Sequence, residues 1–317
     1  TKKISMIKYL SAKIFSLTPH RRAVNFIVKN IEIAKHSGFC YGVKRAVDTI
    51  KKLRLDNPDK NIFILGELIH NSQVIKELDN LGIKTVDELI NPAPKNSICI
   101  IRSHGVSIDL IEKIKSMGYE VLDLTCPDVK KVQDKAVSLV KEDYFLLILG
   151  KQEHPEVMAI ESNARKYGEN SVLVVKDTEE LKKFEDIIKE KKKIGVVIQT
   201  TQKIEFLKEA VEFLLDKAKD LKIANTICHS TYLRQNEAKI LGQKSDLMVV
   251  VGSKKSANTT HLKEILNKIT KTIHVEDEKE LDKYTELIKS SQRIGITAGA
   301  STPDYIINQV KTKLERT

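Results

Sequence analysis

Apolar residues along the chain fall into short unbroken runs, separated by stretches with helical spacing. "NIFILG", "SICIIR", "FLLILG", "KIGVVIQ", "DLMVVVG" and "RIGITAG" are such runs, rich in aliphatic and β-branched residues. Continuous apolar runs of this length mark strands buried on both faces, as in parallel sheets covered by helices. Between them, positions such as Val43, Ala46, Val47 and Ile50 recur at the spacing of one helix face. The alternation predicts an α/β fold.

The runs repeat in register. Cys40 is followed by a helix and a strand ending at Gly66, Cys126 by a helix and a strand ending at Gly150, and Cys228 by a helix and a strand ending at Gly252. The Cys-to-Gly separations are 26, 24 and 24 residues. A candidate strand precedes each cysteine: "NIEIA", "YEVLDL" and "LKIANTI". Four residues beyond the glycines stand His70, His154 and Ser256. Each unit continues with a helix, a strand ("IKTV", "SVLVV", "TIHV") and a short acidic helix ("VDEL", "TEEL", "EKEL"). A fourth strand then ends in "RSHG", "IQTT" or "AGAS".

The chain therefore reads as three similar αβα units with mostly parallel four-stranded sheets, at 30–118, 119–220 and 221–317, behind a basic extension at 1–29. Parallel sheets bind ligands beyond the carboxyl ends of their strands, where helices begin. Units packed around a pseudo-threefold axis with those ends inward bring the polar residues to one central cavity.

Composition narrows the partners. With 41% apolar and 31% charged residues over 317 positions, the chain is globular and longer than one ordinary domain. No apolar run approaches the ~20 residues of a membrane span. A net charge of +11 favours an anionic ligand or an acidic partner protein. Nucleic acid is not expected: lysines interleave with glutamates, as in "DTEELKKFEDIIKEKKK", which describes a solvated helix face. Eight Phe, eight Tyr and no Trp also leave few platforms for base stacking. Four cysteines without a C-x-x-C pair suit neither a disulfide scaffold nor a zinc ribbon, and a reducing, cytoplasmic compartment is expected. The first 31 residues hold seven Lys or Arg and no acid. They read as a solvated lead-in, an interfacial helix or the remnant of a targeting segment for a plastid-type organelle.

A thiol at a helix N-terminus is a metal ligand or nucleophile, and the helix dipole is expected to lower its pKa. Cys99, inside a strand, is a core residue. Cys40, Cys126 and Cys228 share one place in each unit and read as a three-way ligand set. Zinc on three thiolates and an iron–sulfur cluster with one open iron both fit that set. The other convergent residues are His70, His104, His154, Glu156, Thr200, Ser256, Asn258 and Ser301. Imidazoles, hydroxyls and an amide beside helix N-termini suit phosphate or diphosphate oxygens. Glu156 is the one acid among them and the natural proton donor. His20, His36, His229, His261 and His274 lack this placement and are assigned no role.

The motifs "GFCYGVKRAV", "SHGVS", "DLTCPDVKKV", "GKQEHPEV", "IQTTQ", "TICHSTYLRQ", "GSKKSANT" and "TAGASTPD" resemble those of the 4-hydroxy-3-methylbut-2-enyl diphosphate reductases, from about residue 30 to the C-terminus. The resemblance implies a 4Fe-4S cluster on Cys40, Cys126 and Cys228. It implies reductive dehydroxylation to isopentenyl and dimethylallyl diphosphates, the last step of the methylerythritol phosphate pathway. Mapped by motif, His70, His104, Ser256, Asn258 and Ser301 hold the diphosphate, with His154 nearby. Glu156 then supplies a proton and Thr200 orients the departing hydroxyl. A ferredoxin or flavodoxin is the implied kind of electron donor. The family usually carries Ser-Ser-Asn where this chain has Ser256-Ala257-Asn258, so one hydroxyl donor is lost. Two other readings compete: a non-redox iron–sulfur hydro-lyase, which turns over without reductant, and a metal-stabilised basic module that binds polyanions in a salt-dependent way.

Overall fold

The six apolar runs quoted above all become strands of three four-stranded, all-parallel sheets. The computed structural model describes residues 30–317; the basic stretch 1–29, with His20, lies outside the described residues. The first stretch runs β1 (Asn30–Ile33), α1 (Tyr41–Asp56), β2 (Asn61–Leu65), α2 (Ser72–Asn80), β3 (Ile83–Val86), β4 (Ser97–Ile101), α3 (Ile108–Ser116) and β5 (Glu120–Asp123). Next come α4 (Pro127–Lys141), β6 (Phe145–Leu149), α5 (Pro155–Arg165), β7 (Val172–Val175), α6 (Thr178–Lys183), α7 (Glu185–Lys189), β8 (Lys193–Ile198), α8 (Ile204–Leu215) and β9 (Asp220–Ile223). The third holds α9 (His229–Lys244), β10 (Leu247–Val251), α10 (Ala257–Leu266), β11 (Lys271–Val275), a 3₁₀ turn (Glu278–Tyr284), α11 (Thr285–Lys289), β12 (Arg293–Ala298) and α12 (Asp304–Arg316).

Strand order is β3-β2-β4-β5, β7-β6-β8-β9 and β1-β12-β10-β11. Sheet membership is thus offset from the segments 30–118, 119–220 and 221–317. The strand leading into each cysteine lies at the edge of the preceding sheet: β5 beside β4, β9 beside β8, and β1 beside β12. A parallel partner is reached by a crossover, so the nearest strand in sequence need not be the nearest in the sheet. The exchange closes a ring, because β1 completes the third sheet and then hands the chain to the first.

Burial explains the unbroken apolar runs. All five positions of β4 and of β10 are buried. In the first sheet, Ile62, Ile64, Ile98 and Ile100 pack against Val43, Val47 and Ile50 of α1. Cys99 and Ile101 face the other side, against Ile114 of α3. Cys99 is the expected core residue, and burial pushes its thiol up to about 11. One element departs from expectation: "VDEL" forms no helix, whereas "TEEL" and "EKEL" do. Pro92 and Pro94 follow it, and a proline disfavours helical backbone in the residue before it.

Polar contacts tie the units around the centre. Arg45 of α1 donates to Thr125 O at 2.8 Å, and Asn71 Nδ2 to Ser301 O at 3.0 Å. The backbone N–H of Ile108 reaches Asn163 Oδ1 at 2.9 Å, and Lys203 pairs with Glu264 at 2.8 Å. Among the described residues, no helix is long and apolar enough to cross a membrane.

Candidate active site

Cys40, Cys126 and Cys228 are each the residue that opens a helix. Cys40 caps α1 through its sulfur, which accepts from Val43 N–H at 3.5 Å. Cys228 caps α9, accepting from Thr231 N–H at 3.3 Å, with Thr231 Oγ1 3.0 Å away. Cys126 precedes Pro127 and opens α4 without a side-chain cap. All three line one cavity of about 730 Å³, part of it open to solvent, where the three units meet. Gly42 is what allows the approach: a Cβ there would lie 2.7 Å from Cys126 Sγ and 3.9 Å from Cys40 Sγ.

The thiols differ from expectation in one respect. Burial raises the pKa of Cys126 and takes Cys228 to about 11, although backbone N–H groups pull both the other way. Desolvation outweighs the helix dipole here. A bound metal would release those protons, as thiolate ligation does generally.

The residues facing the cysteines across the cavity are those the repeat singled out. The His70 and His104 rings stack with centroids 4.9 Å apart, and His154 stands edge-on at 5.4 Å from His104. Burial, then the neighbouring imidazoles and Arg102, hold His104 well below the ordinary histidine range. Burial likewise takes His154 down to about 3. His154 caps α5 by accepting Glu156 N–H at Nδ1, 3.2 Å, so its neutral ring carries the proton on Nε2. Ser256 caps α10, and Asn258 and Ser301 complete the wall. Both amide atoms of Asn258 and His104 Nδ1 are buried without a partner. Polar atoms without a protein partner on a cavity wall suit a polar ligand.

Glu156 is 1% exposed, and its two oxygens are both engaged. Thr200 N–H donates to Oε1 and Thr200 Oγ1 to Oε2, each at 2.7 Å. Burial raises the carboxyl group to about 7, with the two Thr200 contacts opposing. Near neutrality the group therefore holds and releases a proton in step with its surroundings.

Several contributors carry no sign in the sequence repeat. Glu67 accepts from His70 Nδ1 at 3.0 Å and orients that ring. Asn71 caps α2 directly behind His70. His261, given no role above, has its Nδ1 2.7 Å from Thr201 O, holding the loop that presents Thr200. His36 pairs with Glu237 and His274 with Gly252 O, both away from the cavity lining.

The donor set also bears on what the cysteines hold. Among the described residues, the one trio with ligand atoms within 4.8 Å of one another is His70, His104 and His154. Cys40, Cys126 and Cys228 instead border one larger cavity, with the Cys126 and Cys40 sulfurs on either side of Gly42. A polynuclear group held by thiolates fits that donor set.

Fold and cavity define a class: three-unit α/β proteins with one cysteine per unit around a central, anion-suited site. The chain matches the LytB protein family model over residues 31–315 and belongs to that family. It is 40% identical over 289 residues to the 4-hydroxy-3-methylbut-2-enyl diphosphate reductase of Caldanaerobacter subterraneus subsp. tengcongensis, covering 90% of this chain and 96% of that protein. The reductase of Clostridium tetani is 41% identical over 291 residues, 90% of this chain, but the chain spans only 43% of that longer relative. A solved (E)-4-hydroxy-3-methyl-but-2-enyl diphosphate reductase, described as the terminal enzyme of the non-mevalonate pathway, superposes with a TM-score of 0.66 at 37% identity, covering 91% of this chain and all of the other. The reductase from Plasmodium falciparum gives a TM-score of 0.81 at 27% identity, over 90% and 87% of the two chains.

Proposed function

We propose that this cavity binds 4-hydroxy-3-methylbut-2-enyl diphosphate and removes its hydroxyl reductively, giving isopentenyl and dimethylallyl diphosphates. The observation that carries the reading is the meeting of three thiols, one from each unit, opposite a wall of imidazoles, hydroxyls and an unsatisfied amide. Cys40, Cys126 and Cys228 would hold a 4Fe-4S cluster, which supplies electrons and an open Lewis-acidic iron when bound.

The remaining chemistry belongs to side chains. The diphosphate is the anchor: His154 offers Nε2–H, Asn258 its free amide, and Ser256 and Ser301 their hydroxyls, while Glu67 sets the His70 ring. The N-termini of α2, α5 and α10 add partial positive charge at the same place. Anchoring one end of the substrate fixes the reacting carbon at the other, so remote binding energy serves the reaction. Ala257 contributes no hydroxyl, which leaves Ser256 and Asn258 as the donors of that loop. Protonated Glu156 hands its proton to Thr200 Oγ1 as Thr200 passes its own to the departing hydroxyl, which leaves as water. Two electrons reduce the allyl fragment, and a second proton, drawn from solvent, completes the C–H bond of either product. The resulting carboxylate is then held by Thr200 N–H and O–H.

The +11 charge favours a small acidic redox protein, of ferredoxin or flavodoxin type, as electron donor. A cytoplasmic site of action fits the bacterial relatives; an organellar one would rest on residues 1–29. The test is anaerobic turnover of the diphosphate substrate with and without dithionite. Product that appears only with reductant supports the reductase, and equal turnover without it returns the hydro-lyase.

The histidine trio invites a second reading, a divalent cation held by three imidazoles. The orphaned Asn258 amide and the helix N-termini favour an anion instead. Substrate binding that survives chelator treatment supports that choice, and binding lost with zinc and restored by it reverses it.

A further inference from the structure

Arg234 is a buried charge that the proposed chemistry leaves without a task. It lies on α9, six residues beyond Cys228, is 3% exposed, and lines the cavity together with Cys40 and Cys228. Its Nη2 donates to Gly38 O at 2.8 Å and its Nη1 to Ser230 O at 3.3 Å, while its Nε is buried without a partner. Among the described residues no carboxylate pairs with it. Glu237, one turn on, is taken by the backbone N–H groups of Lys35 and His36 and by His36 Nδ1. Burial works against its charge, and ionised Cys40 and Cys228 sulfurs, followed by Glu237, would favour it. A guanidinium stays protonated inside a protein, and burying it unpaired is costly unless an opposite charge offsets it.

We propose that Arg234 is the fixed counter-charge of the three-thiolate group, a positioning residue that favours its reduced state and ties the Cys40 loop to the Cys228 helix. This rests on the cluster reading above. Each thiolate ligand brings negative charge, and an electron accepted from a reductant adds more. A buried cation in the same low-dielectric cavity therefore stabilises the reduced group over the oxidised one. The head of Arg234 is held by the Gly38 and Ser230 carbonyls. Gly38, whose carbonyl it holds, sits at φ +80°, and a Cβ there would meet Asp304 Oδ1 at 2.8 Å, so glycine is what lets the loop present that carbonyl to Arg234.

Two variants separate charge from scaffolding. R234Q keeps a polar amide in the cavity and removes the charge, whereas R234K keeps the charge and loses the planar fork. Both shorten the reach to Gly38 O, so that loss is common to the pair. Wild type and both variants are reconstituted anaerobically, assayed for iron and visible absorption, and titrated with dithionite while the one-electron reduction is followed by EPR. The expected result is a midpoint potential shifted to more negative values in R234Q and close to wild type in R234K. Cluster assembly in R234K but not in R234Q also supports a charge requirement. An unchanged potential in R234Q, an equal shift in both variants, or loss of the cluster from both overturns the inference and leaves Arg234 a scaffold residue. A wild-type protein that takes up no cluster overturns instead the reading beneath it.

Discussion

Glu156 is under two opposed pressures: burial drives its carboxyl group toward the neutral form, and two Thr200 donors favour the ionised one. Burial wins, to about 7, so the group can give up a proton near neutrality. In E156Q, one amide atom can still accept Thr200 N–H and the other donate to Oγ1, so substrate binding is expected to persist. Single-turnover rates should fall by about 10²–10⁴-fold, the usual worth of a positioned general acid. Wild-type turnover should fall as pH rises through about 7. Stability follows the same proton. Because the folded pKa lies above the usual 4.5, the contribution is full below that value and is lost as pH rises through about 7. Denaturation across that window should show this slope in wild type and a flatter one in E156Q. Asn258 makes the converse case, since both its amide atoms are buried without a protein partner. N258A should melt no lower than wild type yet bind substrate about tenfold more weakly, the worth of one good hydrogen bond to an anion. A lower Tm with undiminished affinity would make Asn258 a structural residue. Glu156, Thr200, Asn258 and the histidines were legible because they hold equivalent places in a repeat. Glu67, His261 and Arg234 were not, because each acts through a partner distant in sequence or through burial alone.

At the scale of elements, the helix N-terminus is the device repeated three times, and Gly42 in the first turn of α1 is its tightest point. G42A should hold or raise the Tm, because alanine favours helix over glycine by up to about 1 kcal/mol. Its Cβ would nonetheless drive the Cys126 sulfur aside. Bound iron should therefore drop although the protein stays folded; a variant with wild-type iron content would show that Cys126 does not need this approach. The strands themselves were legible, since burial on both faces writes an unbroken apolar run. The missing helix at "VDEL" was hidden by matching it to its two counterparts, although Pro92 and Pro94 stand close behind it.

At the scale of the whole molecule, no unit holds a complete site. The thiols come one from each unit, Glu156 and Thr200 from the second, and the anion-suited wall from all three. The three-unit plan and its inward-facing strand ends could be read from the register of Cys, Gly and polar residue. The exchange of β1, β5 and β9 between neighbouring sheets could not, because apolar periodicity marks a strand and says nothing of which sheet receives it. That exchange places each cysteine at the seam between two units, where a shared group can be gripped from three sides. The direct measurement is the iron and sulfide content, with the visible spectrum, of anaerobically reconstituted wild type, C126S and C99A. Iron and sulfide bound together in wild type and C99A, and lost in C126S, is the outcome expected of a group held by all three units. Wild-type iron and sulfide retained in C126S, or bound metal without sulfide in the wild type, would contradict it.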